Sequence, residues 1–194
     1  MTKIDDILER IGQLEKELKA ELSRAGDEFL YTVRDRKVFF SQEAREYHRK
    51  LAQRWSDYVY DSGPMIVLTI PVILLALIPA ALMDAAICLY QLICFPVYGI
   101  PRVKRRDYVI MDRHKLRYLN WIEKFNCAYC SYFNGLLAFV TEVAARTEQY
   151  WCPVRHARPL KAVHSRYRHF FDYGDAQAYR KGLAEIRKRF GDVK

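Results

Sequence analysis

Residues 63–101 read GPMIVLTIPVILLALIPAALMDAAICLYQLICFPVYGIP, and the 37 residues from Met65 to Pro101 contain one carboxylic acid, Asp84, with no Lys, Arg or His. As one straight helix rising about 1.5 Å per residue, this run would be roughly 55 Å long. The hydrocarbon core of a bilayer is only about 30 Å thick. Two full spans of about 20 residues plus a turn would need slightly more chain than is present. The expectation is therefore a hydrophobic helical hairpin, either two short spans or a re-entrant pair dipping into one leaflet. Pro71 and Pro79 remove backbone donors, and the bend is expected between Pro79 and Asp84. There Asp84 caps the second helix or pairs with a basic residue further on. Its other reading is a functional ionisable group inside an apolar segment. A fully buried core hairpin of a soluble domain is the competing reading of the whole run, and it would need a much larger protein around it.

Charge divides around this run. Of the 194 residues, 51% are hydrophobic and 28% charged, which excludes a disordered or collagen-like chain. The mean hydropathy of −0.22 is that of a soluble protein only because it blends an apolar segment with two polar flanks. Residues 1–64 carry 12 Lys/Arg against 13 Asp/Glu, whereas residues 102–194 carry 20 against 9, so the net +9 belongs to the part after the run. That part opens with Arg102, Lys104, Arg105 and Arg106. A basic cluster abutting a membrane segment is retained on the cytoplasmic side, where each charge attracts anionic lipid by about 1 kcal/mol. Nucleic-acid binding is the alternative use of such a cluster, and its position beside the apolar run makes lipid headgroups the expected partner. No secretory signal is visible: the first 60 residues are charged throughout, and the apolar run starts too late to be a signal-peptide core. A hairpin would leave both termini in the cytoplasm. Trp55, Tyr58 and Tyr60 before the run, with Tyr90, Phe95 and Tyr98 at its end, are the expected interface anchors.

The remaining chain reads as mainly α, with three regions: an amphipathic helical region over 1–63, the hydrophobic hairpin over 64–101, and a basic cytoplasmic helical domain over 102–194. Ile4, Ile7, Ile11, Leu14 and Leu18 follow the a/d spacing of a short coiled coil ending at Gly26, too short to stand alone and so expected to pack on itself, on a partner copy or on the body of the chain. Alternating Tyr31, Val33, Val38 and Phe40 predict a small β-hairpin within 29–40. Ser41 caps a helix predicted to run to about Tyr60, and Asp112 caps another carrying Leu116, Leu119, Ile122 and Phe125. Further helices are predicted over 136–150 and after Asp175, the latter with Tyr179, Leu183 and Ile186 on one face. Glu142 and Arg146 are spaced for an i,i+4 pair.

Five cysteines, Cys88, Cys94, Cys127, Cys130 and Cys152, are too sparse for a disulfide scaffold. NCAYC and WCPVRHA place Cys127, Cys130, Cys152 and His156 in the pattern C-x2-C-x21-C-x3-H, three thiolates and an imidazole for a closed tetrahedral zinc site. The same residues could instead hold iron or cycle as a redox pair, or be ordinary thiols of a helical core. Ser131 after Cys130 excludes a haem-c attachment. A metal site requires the chain to break at Asn134-Gly135, because a continuous helix over 131–150 would hold its ends roughly 30 Å apart. His114, His164 and His169 lie in basic stretches expected to be exposed, and carry no ligand spacing.

The segment from about Tyr90 to Ala157, most distinctively NCAYC and TEQYWCPVRHA, resembles a group of bacterial membrane-associated proteins. The resemblance implies a bacterial, membrane-embedded helical protein and no particular activity. Two functions remain: a non-enzymatic inner-membrane scaffold or assembly subunit, homo-oligomeric or part of a complex, or a membrane-bound metal- or thiol-dependent redox component.

Overall fold

The computed structural model describes residues 3–193 and is mainly helical. α1 (Lys3–Glu28) leads into a two-stranded antiparallel sheet, β1 (Tyr31–Arg34) and β2 (Lys37–Phe40). There follow α2 (Gln42–Lys50), α3 (Trp55–Ser62), α4 (Pro64–Leu75), α5 (Leu77–Tyr98), the long α6 (Trp121–Trp151) and α7 (Ala176–Ile186). Contacts divide the chain into two compact units, Met1–Ala76 with Ile110–Phe133, and Leu77–Val109 with Asn134–Lys194.

In the first unit the expected β-hairpin forms, with Tyr31 opposite Phe40 and Arg34 opposite Lys37. Its two-residue turn, Asp35-Arg36, has positive φ at both positions, the backbone of a primed turn, normally built with Asn or Gly. Gly26 does not end α1, which continues to Glu28. Instead it makes room for the strand, since a Cβ there would lie 3.0 Å from the Tyr31 carbonyl oxygen. Ser41 caps α2, its Oγ accepting from the Ala44 amide at 3.1 Å. The predicted single helix to Tyr60 is divided by residues 51–54, where no Gly or Pro marks the break. The a/d residues of α1, Ile4 through Leu18, are exposed.

The second unit is built around α5 and the carboxyl-terminal part of α6. Phe95, Ile100, Val103, Leu136, Phe139, Val143, Phe170, Ile186 and Phe190 form its buried core. Gly135 does not break α6; it lies mid-helix because the chain at Tyr108 and Val109 passes over it, 2.7 and 2.8 Å from where a Cβ would sit. Asp175 caps α7 through the Ala178 amide at 2.8 Å, as expected, and Ile186 is buried. The expected Glu142–Arg146 pair is present at 2.8 Å. Arg166, 2% exposed, is the polar centre of the carboxyl-terminal end. It donates to Gln149, to both oxygens of Asp192 and to the Arg189 carbonyl, while its guanidinium lies over the Phe190 ring.

The helix predicted to start at Asp112 begins instead at Trp121, after a short 3-10 turn at Arg113–Lys115. The reason is a capping box, N-W-I-E. Asn120 Oδ1 accepts from the Ile122 and Glu123 amides, and Glu123 Oε2 accepts from the Asn120 amide.

Candidate membrane anchor and its basic strap

The apolar run does not form a hairpin bent at Pro79–Asp84. It is helical from Pro64 to Tyr98 over 35 residues, with only Ala76 separating α4 from α5. Pro79 is the third residue of α5, where its missing N–H would have had no intrahelical partner. Asp84 is therefore mid-helix and caps nothing. With no hairpin in the run, the fold gives no support to two cytoplasmic termini. The most apolar 18-residue window of this helix has mean hydropathy 2.7, and 6% of it is buried. It is the one helix among the described residues long and apolar enough to cross a membrane.

Asp84 is instead paired with one member of the basic cluster. Gly99, at φ +69°, turns the chain after Tyr98, and residues 100–109 run back along α5 as a strap. Ile100 and Val103 are buried beneath it, and the Val103 amide donates to Gln91 Oε1 at 3.1 Å. Pro96 has no N–H to offer the Leu92 carbonyl, the acceptor four residues earlier. Arg102 Nη2 donates to that oxygen at 3.3 Å. Further along, Arg105 grips both oxygens of Asp84, Nε to Oδ1 at 2.9 Å and Nη2 to Oδ2 at 2.6 Å. The bidentate fork suits a guanidinium in a way a lysine could not match. Arg102, Lys104 and Arg106 remain exposed. Arg146 fastens the strap from the other side by donating to the Pro101 carbonyl at 2.7 Å.

The aromatic residues expected at the membrane interface divide between two environments. Trp55 and Tyr60 are exposed. At the far end Phe95 is fully buried, Tyr90 hydrogen-bonds Thr147 at 3.1 Å, and Tyr98 stacks on Tyr150 at 5.0 Å. Phe95 belongs to the core, while Tyr90 and Tyr98 are half-buried against α6.

The proposed tetrahedral metal site is not assembled. Cys127 and Cys130 lie in the early turns of α6, while Cys152 follows its last residue. Twenty-five residues of unbroken helix correspond to about 37 Å along the axis. His156 is exposed, its ring stacked on Tyr167. Among the described residues no group of three or more His, Cys, Asp or Glu could hold a metal ion.

His164 and His169 are largely buried, contrary to expectation, while His114 is exposed. Burial lowers the pKa of both His164 and His169, against the opposing pull of Glu148 on the first and Asp192 on the second. Burial works to raise the Asp192 pKa, but the hydrogen bonds and charge of Arg166 outweigh it and hold the carboxyl below its usual range. The sequence reading overlooked two residues that organise this region, Gln91 and Arg166. Gln91 carried a signal, as a long polar side chain in the apolar run. Arg166 carried none, being one arginine among many in a basic segment.

No family model, curated protein or solved structure matches the chain. Its class is set by its own architecture: a mainly helical protein with a small antiparallel sheet and one helix long and apolar enough to span a bilayer.

Proposed function

We propose that this chain is a non-enzymatic, membrane-anchored helical protein of a bacterial inner membrane, acting as a scaffold or assembly subunit. The helix Pro64–Tyr98 is the anchor, and the basic strap meets anionic headgroups on the cytoplasmic side. The observation that carries the reading is the near-complete exposure of that helix's most apolar window. The core helix of a soluble protein buries such a surface. Here Met65, Leu68, Val72 and Leu75 are all exposed, and each side chain left in water forgoes about 1.5–3 kcal/mol. The basic cluster directly after the helix supports a cytoplasmic placement for that end of it. Exposed α1, with its apolar seam, is the surface offered to a second copy or a partner subunit.

Flotation tests the anchor. The full chain is expected to rise with phosphatidylcholine–phosphatidylglycerol vesicles and to stay with them in 1 M salt, because burial of apolar surface is not screened. Release by salt would reduce the association to electrostatic adsorption and contradict the reading.

A further inference from the structure

Among the described residues α1 meets the body of its unit mainly at its carboxyl-terminal end, where Gly26 lies against Tyr31. Along the rest of the helix Ile4, Ile7, Ile11, Leu14 and Leu18 are between 40% and 61% exposed. A helix draws most of its stability in a protein from packing its amphipathic face, so this seam calls for a partner. Deepening the assembly role proposed above, and resting on it, we infer that the partner is α1 of a second copy of this chain. The two helices pair parallel and in register as a two-stranded coiled coil.

Charge argues against lipid as the cover. α1 carries five Lys/Arg against eight Asp/Glu, a net of −3 (5 − 8). Anionic headgroups repel such a helix, whereas helices that lie on membranes line their polar face with Lys and Arg. A second copy fits by pattern. The heptad that places Ile4, Ile11 and Leu18 at a puts Ile7 and Leu14 at d. Isoleucine at a with leucine at d, as at Ile11 and Leu14, favours two parallel strands.

Orientation follows from what each alignment brings together. In the parallel register the five seam residues meet their own counterparts as five apolar layers. Arg10, at g, faces Glu15, at e, of the second copy, and the twofold axis repeats the pair. Lys3 and Glu17 at g face Leu8 and Leu22 at e, so no like charges meet. An antiparallel pair sets a against d and leaves four apolar layers at best. With Ile7 opposite Ile11, it opposes Arg10 to Arg10 of the second copy. With Ile11 opposite Leu14, it opposes Lys3 to Arg24 and Ile4 to Glu21. The parallel alignment has more apolar layers and none of these clashes.

Mass, a charge exchange and crosslinking test the pairing. In detergent the full chain should have twice the mass of the 23.0 kDa polypeptide. Arg10→Glu should weaken the dimer several-fold, and Arg10→Glu with Glu15→Arg should restore it, as the parallel register requires. In the full chain with its five cysteines replaced by alanine, single cysteines go in at Leu14, on the seam, or at Glu9, on the opposite face, both exposed positions. In phosphatidylcholine–phosphatidylglycerol vesicles at low protein density, mild oxidation should link most Leu14→Cys chains into dimers, and several-fold fewer Glu9→Cys chains. Linkage of Ile11→Cys chains to Leu14→Cys chains, with neither linking to itself, would overturn the parallel alignment. Equal linking at Glu9 and Leu14, or a single-chain mass for protein that still floats with vesicles, would overturn self-pairing and leave the anchor intact. A single-chain protein that also fails to float would overturn both.

Discussion

The two units differ in where they keep their apolar side chains. In the second, Phe95, Leu136, Phe139 and Val143 are almost entirely withdrawn from solvent, and a polar centre on Arg166 closes the carboxyl-terminal end. In the first, Ala44 is the one buried hydrophobic residue of the core among the described residues. Its large apolar side chains, from Ile4 and Leu18 on α1 to Leu68 and Val72 on α4, lie open. A groove of about 430 Å³ between α3, α4 and the start of α6 is lined by Ile66, Ile70, Trp121 and Phe125. Around the carboxyl-terminal part of α6 the second unit follows the rules of a protein that folds in water, whereas Ile78, Leu82, Leu89 and Ile93 on its α5 lie open. The first breaks them unless another medium or another chain covers its surface.

The comparison can be broken most forcefully at Arg166. Arg166→Ala leaves the buried Gln149 without its partner and the part-exposed Asp192 without its counter-charge, and should cost about 3 kcal/mol of stability in the second unit, read as a large fall in Tm. An unchanged Tm would mean that the unit is held together by something other than its polar centre. The opposite manipulation belongs on α4. Val72→Arg, at an exposed site, should leave the Tm in detergent unchanged but weaken membrane insertion by about 2.5–3.5 kcal/mol, seen as protein lost from the floated fraction. If insertion were unaffected, the exposed face of α4 would not be facing lipid.

Gly135→Ala asks how tightly the second unit is packed. The added methyl meets backbone, not a side chain that can move aside, so a loss of about 1–3 kcal/mol is expected. The equivalent change at Gly191, with open space around it, should be nearly silent. The smallest effect expected is that of pH. His164 and His169 have lowered pKa values in the folded state, so the unfolded chain binds protons first as pH falls. Their contribution is complete above the ordinary histidine pKa and is lost as pH drops below it. Asp192, also lowered, adds a second loss beneath the ordinary aspartate range. Thermal unfolding between pH 7.5 and 5 should therefore show falling stability, and a Tm that rises on acidification would reverse the sign.

Much of this could be read from local sequence because local physics decided it. Ser41 and Asp175 cap helices through their own side chains, and Glu142 and Arg146 meet because they are four residues apart. Alternation from Tyr31 to Phe40 was enough for a hairpin even with Asp35-Arg36 in its turn. The misreadings arose where meaning depended on what lay alongside. Pro79 was read as a bend, yet its place in the first turn of α5 makes it harmless. A metal site needed the chain to break at Asn134-Gly135, but α6 is continuous there and the chain crossing over Gly135 requires a glycine at that position. Asn120 and Glu123 formed a legible start signal that Asp112, eight residues earlier, obscured. The cysteine pattern failed for the same reason as the bend. Spacing in sequence gave ligand-like intervals, and an unbroken α6 spread them along its length.

Alkaline carbonate extraction of membranes from cells making the full chain asks most directly whether lipid is the solvent of α4 and the start of α5. The protein should remain in the membrane pellet at pH 11, as an integral protein does, and leave it only with detergent. Complete release into the supernatant as a monodisperse species without detergent would contradict the claim.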